Sequence, residues 1–417
     1  MKKIALFIYV CVVFSIANAQ KYTLESDVDF TINSNGITPA FTKALLSSNY
    51  IDSTIKNNAI DKLKPRNNRF MVNLSTELKF TKNEVKVFGK EKSNIYFITG
   101  SRIFSNMSFS KDVFRLVFEG NKTFAGQTVD LDNTYINSIW YQHIGLGLKV
   151  PLRKEFSFSG AISFLKGSNA FSLQASEGSL TTAADGSALD LSMQFQANYS
   201  ATEKPNLLTF DGVGSKIDLG FEYKKDKINI VLEAKDLGLI SWNKASYSFA
   251  KDSAVQYTGV NINDIFNLNT SNTAYNLEDT AFALLGLNED RKSFSTWLPG
   301  RVNVKLKYKL SDFNQLEFKV EQYFGTQTIP EFILKDEIAI FKIEKEIAPH
   351  IMGVFSSLSI IPQISYGGFG NFNMGLALKA DLPKQFKLFI QSKYLLGYFV
   401  HNNPYGKSVY VNLKKSF

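Results

Sequence analysis

Segments of about ten residues in which apolar and polar side chains alternate recur through most of this 417-residue chain, and few folds accept such a pattern. In Leu189 to Ala201 one face carries Leu189, Leu191, Met193, Phe195, Ala197, Tyr199 and Ala201, and the other Asp190, Ser192, Gln194, Gln196, Asn198 and Ser200. A helix would scatter these residues around its circumference, so the segment is extended. Gly300 to Leu310 repeats the pattern, setting Val302, Val304, Leu306 and Tyr308 against Arg301, Asn303, Lys305, Lys307 and Lys309. A strand crossing a bilayer needs about 9–11 residues, apolar toward lipid and free to be polar toward a lumen. A sandwich with one wet face alternates in the same way, so other features must decide.

The chain begins with Lys2 and Lys3, an apolar run from Ile4 to Phe14, and the small-residue site Ala17-Asn18-Ala19 ahead of Gln20. Residues 1–19 therefore read as a cleaved secretory signal, and export is expected. The run is too short to span a bilayer, and no later stretch of about 18 apolar residues suggests a transmembrane helix. Cys11, the one cysteine, leaves with the signal, so no disulfide or thiol chemistry is expected. With 44% hydrophobic and 14% aromatic residues the chain looks soluble on average, as barrels do, because half of each strand faces water or the lumen. The formal charge of +9 is dispersed over strands and turns. That dispersal disfavours nucleic acid as a partner and reads first as solvated lysines at the membrane interfaces. An electropositive lumen, or contact with anionic lipopolysaccharide, is the alternative.

Connections differ in length. Short turns fall near Asp381 to Gln385, Lys345 to Pro349, Leu310 to Gln315, Lys224 to Lys227 and Pro151 to Glu155. Longer ones fall at Leu396 to Lys407, Ser357 to Phe369, Gly325 to Lys335, Ala250 to Trp297, Thr202 to Val213 and Gly120 to Ser138. Short periplasmic turns and long outer loops characterise bacterial barrels. If Phe171, Leu173 and Ala175 form a strand of their own, the count from Arg69 to Phe417 is about 16, with 14 the alternative and both termini periplasmic. The fold class expected is thus all-β: a transmembrane antiparallel up-and-down barrel of about 14–16 strands over residues 69–417.

Two stretches break the pattern. From Thr38 to Leu63 apolar residues recur at helical spacing, with Phe41, Leu45, Ile55 and Leu63 on one face, Thr38 as cap and Pro39 at the first position. Residues 20–68 are accordingly expected to be a periplasmic or plug segment with a helix. Between Gly259 and Leu298 lies a long, partly helical loop whose Phe282, Leu284, Leu285 and Leu287 predict packing onto a lid, a constriction or a protein partner.

The run Lys235-Asp236-Leu237-Gly238-Leu239-Ile240-Ser241-Trp242-Asn243 closes a strand after a tight turn. His143-Ile144-Gly145-Leu146-Gly147, Phe164-Leu165-Lys166-Gly167, Phe294-Ser295-Thr296-Trp297-Leu298-Pro299 and Asn49-Tyr50-Ile51-Asp52 accompany it. Together these resemble a family of Bacteroidota outer-membrane barrels of unknown function, distantly like the fatty-acid transport porins and secretion-associated barrels. The resemblance implies location and fold, not a reaction. Within the first run, Asp236 and Asn243 bracket a strand end, Gly238 permits a bend or bulge, and Trp242 suits the membrane interface, so a structural rim motif is expected.

His143 and a residue near Ser163 would share a face across two strands, but no orienting acid stands nearby in the sequence, and no enzyme is expected. No histidine pair has metal-ligand spacing and no glycine loop cradles phosphate, so no metal or cofactor is expected. A channel or uptake porin for small solutes or lipophilic compounds remains, lined by Asp190, Gln194, Gln196, Asn198, Arg301, Asn303, Lys305 and Lys307. The alternative is a plugged scaffold or accessory subunit of a secretion or assembly complex, with Glu317, Lys319 and Glu321 opposite Arg301 and Lys305 filling the lumen with ion pairs. The expected partners are membrane lipid and lipopolysaccharide, the barrel-assembly machinery acting on the C-terminal strand at Phe417, and a protein at the 259–298 loop.

Overall fold

Alternation becomes architecture through pairing, because a strand with one apolar face is stable in lipid only when both of its edges are occupied. The computed structural model of the chain describes residues 21–201, 210–257, 291–342 and 356–417. The strands are β1 (Tyr22–Ser34), β2 (Asn68–Val87), β3 (Lys90–Phe109), β4 (Thr128–Asp130), β5 (Thr134–Pro151) and β6 (Phe156–Thr182). They continue with β7 (Leu189–Ala201), β8 (Gly212–Lys225), β9 (Ile228–Trp242), β10 (Tyr247–Tyr257), β11 (Ser295–Trp297) and β12 (Arg301–Lys309). The last six are β13 (Asn314–Tyr323), β14 (Ile329–Lys342), β15 (Ser357–Gly368), β16 (Phe372–Leu382), β17 (Phe386–Ser392) and β18 (Lys407–Ser416).

A closed antiparallel barrel of 14 strands results. Its wall runs β1, β2, β3, β5, β6, β8, β9, β12 and on through β18, which returns to β1 in the register Thr23 opposite Ser416 to Ile32 opposite Lys407. Phe417, past the last strand, donates its N–H to Tyr22 O at 2.9 Å. Along each stave the outward positions are apolar and exposed, as at Leu74, Ile144, Ile162, Leu232, Leu306 and Leu413. The residues between them along each strand turn charged or polar side chains inward, which is the surface of a transmembrane barrel.

Several expectations change, among them Gly325 to Lys335, which is strand β14 from Ile329 onward. The strand count falls to the lower value because Gly167 to Ala188 holds no turn into a new stave: β6 runs on for 27 residues, and its outer half leaves the wall to pair with β7. β7 pairs in turn with β10, so these two strands and β4 form an apron beyond the rim, while β6 and β8 meet directly in the wall. The segment 20–68, expected to precede the barrel as a periplasmic or plug segment, is in part barrel wall. It contains β1, a full stave, and two helices, α1 (Pro39–Leu46) and α2 (Ser53–Lys62), which lie between β1 and β2 at the end opposite the termini. Ser357 to Phe369, expected as a loop, is mostly strand β15.

Thr38 caps α1 through its side chain with Pro39 in the first turn, and Asp52 caps α2, so Asn49 to Asp52 joins two helices rather than lying within one. Phe41, Ile60 and Leu63 pack with Ile32, Phe70 and Phe109 and with Phe114 of α3 (Lys111–Glu119), whereas Leu45 is exposed. The helices thus sit on the rim beside β1 to β3. The 259–298 loop lies outside the described residues as far as residue 290. From Arg291 onward the chain returns through β11, which extends the β12 stave after an interruption at Leu298-Pro299-Gly300.

Candidate functional site: the lumen and its closure

Phe104 on β3 and Tyr323 at the end of β13 stand on opposite walls, yet their ring centroids are 5.7 Å apart. Phe369, from the turn between β15 and β16, closes the triangle at 5.9 Å from Tyr323 and 6.2 Å from Phe104. That turn depends on Gly367, whose φ is +106° and whose absent Cβ would lie 2.1 Å from Pro330 O, so a glycine is required there. Met71, Ile139, Tyr141, Leu165, Trp242 and Leu298 complete a buried apolar layer across the loop end of the lumen. Trp242 is held by an Nε1–H donation to Thr296 Oγ1 at 3.1 Å and stacks on Phe294 at 6.0 Å.

Beneath the rings lies an ionic layer. Arg102 Nη1 reaches Asp236 Oδ2 at 2.6 Å and Lys216 Nζ reaches Asp236 Oδ1 at 2.6 Å. All three side chains are buried. Arg102 also donates from Nε to Asn73 Oδ1 at 3.0 Å and lies 4.9 Å from the Phe104 ring. Since β3 and β9 are not neighbours in the wall, the Arg102–Asp236 pair is a strut across the lumen. Asp236 reaches it from a β-bulge: its φ is +58°, and two residues of β9 oppose one of β8 between Ile217 and Leu219. Its own N–H donates to Asp218 Oδ1 at 2.6 Å.

The rim motif therefore sits elsewhere than expected. The bulge falls at Asp236 itself. Gly238 serves close packing, since a Cβ there would lie 2.1 Å from Ser215 O. Trp242 faces the lumen at 1% exposure and not the membrane interface, while Trp297 takes an outward position at 72%. Asn243 accepts from Ala245 N–H at 2.9 Å and so shapes the turn after β9.

On the terminus side of these layers are two joined chambers. One, of about 550 Å³, is lined by Glu25, Asp27, Glu77, His143, Lys216 and Asp236 among others. The second, of about 450 Å³, is lined by Arg301, Asn303, Lys305, Lys307, the charged face of β13 and further lysines. Arg301, Asn303, Lys305 and Lys307 are thus together on one inner wall. Asp190, Gln194, Gln196 and Asn198 are not with them: they belong to β7 in the apron, outside the fourteen staves, and the lumen-lining role expected of them is replaced by that position. Among the described residues an apolar recess of about 850 Å³, along Phe97, Leu146, Phe158 and Ile162, lies on the outer, lipid-facing wall.

Sequence reasoning missed the closing rings. Phe104, Tyr323 and Phe369 carry no local signal, because their meeting depends on staves far apart in sequence. His143 and Ser163 lie on adjacent strands, with Ser163 opposite Gly145. Glu77 Oε2 is 3.5 Å from His143 Nε2, an acid supplied by β2. Neither ring nitrogen of His143 nor Ser163 Oγ has a hydrogen-bond partner in the structure, so no nucleophile–base bond joins them.

No curated protein matches the chain. Among solved structures it is similar to the toluene transporter TbuX of Ralstonia pickettii, at 7% identity and a TM-score of 0.39, covering 96% of this chain and 90% of that one. It is also similar to a Pseudomonas aeruginosa FadL homologue, at 9% identity and a TM-score of 0.40, covering 95% and 90%. The translocator domain of the autotransporter NalP from Neisseria meningitidis aligns at 8% identity and a TM-score of 0.29, covering 100% and 95%. The profile that matches residues 23–393 spans most of the chain, which therefore belongs to the family of unknown function DUF5723.

Proposed function

We propose that this barrel is a gated channel of the bacterial outer membrane for small polar solutes, with its termini in the periplasm. The observation that carries the reading is the contrast along the lumen. Two polar chambers of about 550 and 450 Å³ open beneath a layer only a few side chains thick, where Phe104, Tyr323 and Phe369 meet. Barrels of eight strands are filled by side chains and those of 16–18 enclose water, so 14 strands leave room for a pore that side chains can close. Short connections at the terminus end favour placing that end in the periplasm. Because the lumenal space is charged and the apolar recess faces lipid, polar solutes suit the interior better than lipophilic ones.

A second reading, a non-conducting scaffold, is favoured by the ion pairs that link the inner wall, such as Lys319 with Glu321 at 2.6 Å and Lys305 with Glu233 at 2.6 Å. Single-channel recording in planar bilayers separates the two. The intact protein should be silent or open rarely, and the double variant Phe104→Ala, Phe369→Ala should show large, steady openings. Silence in both, from protein shown to be folded, would replace the channel with the scaffold.

A further inference from the structure

We infer that the second chamber is an anion site, which holds small multivalent anions and makes the open lumen anion-selective. The selectivity rests on the channel reading; the binding does not.

The argument begins with how carboxylates are shared. Glu317 bridges Lys307 at 3.1 Å and Lys335 at 3.3 Å. Glu321 bridges Lys319 at 2.6 Å and Lys393 at 4.0 Å. Glu233 bridges Lys305 at 2.6 Å and Lys235 at 3.8 Å. An ion pair of one acid and one base is neutral, whereas one carboxylate between two lysines leaves a full positive charge. Three such bridges place excess positive charge along the wall from β9 to the end of β17, where Lys393 also faces Asp29 and Glu331. Arg301, which lines both chambers, adds a guanidinium whose buried Nε has no hydrogen-bond partner.

Among the described residues, eight cationic side chains and five carboxylates line this chamber. Lys379 and Glu337 pair one to one at 2.5 Å and cancel. Asp29, which accepts hydrogen bonds from Thr31 Oγ1 at 2.8 Å and Asn73 Nδ2 at 3.2 Å, keeps its charge and offsets one more cation, so the lining carries an excess of three positive charges. Walls of low dielectric concentrate the remaining field in the cavity, and that field is neutralised most economically by a mobile anion. About 450 Å³ accepts a phosphate or a small dicarboxylate with part of its hydration shell. Lysine ammonium groups on flexible stems suit a point charge of this kind better than a planar, bidentate ligand.

The test uses Lys305→Gln together with Lys335→Gln. This pair removes two of the excess charges, yet leaves Glu233 with Lys235 and Glu317 with Lys307, so no carboxylate is stranded. Full-length protein in detergent is titrated calorimetrically with inorganic phosphate, and binding should weaken about tenfold in the double variant. In the Phe104→Ala, Phe369→Ala background, reversal potentials in a potassium chloride gradient should favour chloride over potassium by about threefold, with the preference lost on removing the two lysines. Conducting protein with no chloride preference, or phosphate binding that the lysine variant leaves unchanged, overturns the inference. Silent protein that still binds phosphate through these lysines keeps the site and removes only the channel.

Discussion

At Asp236 one carboxylate serves two buried cations, with Arg102 and Lys216 each 2.6 Å away and side-chain exposures of 6%, 7% and 5% for Arg102, Asp236 and Lys216. Deleting the shared anion leaves Arg102 without its ion-pair partner and Lys216 with only Asp218, 3.5 Å away, whereas deleting Arg102 leaves a complete Lys216–Asp236 pair. Asp236→Ala is therefore expected to cost about 3–5 kcal/mol of folding stability, and Arg102→Met markedly less. Urea unfolding in lipid vesicles measures both; equal, small losses would mean that lumenal water solvates these charges. Part of this position is legible in the sequence, where Gly238, in the run bracketed by Asp236 and Asn243, marks a bend. Its consequence was not. One extra residue in a strand exchanges the two faces for every residue beyond it. Even-numbered Ile230 and Leu232 face lipid, but after the bulge it is Leu237 that faces out while Trp242 faces in, so a residue type typical of the membrane interface ends in the closing layer.

Elements are legible in the sequence where local pattern decides and not where partner choice decides. Leu189 to Ala201 alternates as strictly as any stave because one of its faces packs and the other is wet, and a sheet beyond the rim satisfies that pattern as well as a membrane wall does. Conversely β1 carries no clear strand signal: Glu25, Asp27 and Asp29 make it look polar, although they face the lumen and Val28 faces out. The helices α1 and α2 follow from their caps and spacing, but their location follows from β1, which carries the chain to the far rim before they begin. They bury Phe41 and Ile60 against strand ends and α3, away from Phe104, Tyr323 and Phe369. Removing residues 38–63 and joining the ends with a short flexible linker should therefore leave single-channel behaviour like that of the intact protein. Large openings after this deletion would assign the gate to the helices instead of the rings.

For the whole molecule, the division between wall and apron predicts what the barrel can lose. Closure requires each stave to find two neighbours, and β6 finds β8 without help from β7: Phe156 lies opposite Tyr223, and the pairing continues to Gly167 opposite Gly212. Only beyond that point does β6 turn to β7, and every β7 partner lies in the outer half of β6 or in β10. Excising residues 171–209 would join Asn169 and Ala170 almost directly to Phe210, a connection short enough for adjacent antiparallel strands. The shortened chain keeps all 14 staves, the outward apolar belt and most of the closing layer, since Ile139, Leu165, Ile240 and Trp242 remain. It is expected to insert into vesicles, to resist sodium dodecyl sulfate unless heated, and to melt within a few degrees of the parent. Loss of that heat-modifiable form would mean that β7 and β10 support the wall itself. Retention of fold together with openings absent from the parent would place part of the gate's support in the apron, through Ala170, which is 2% exposed within the closing layer.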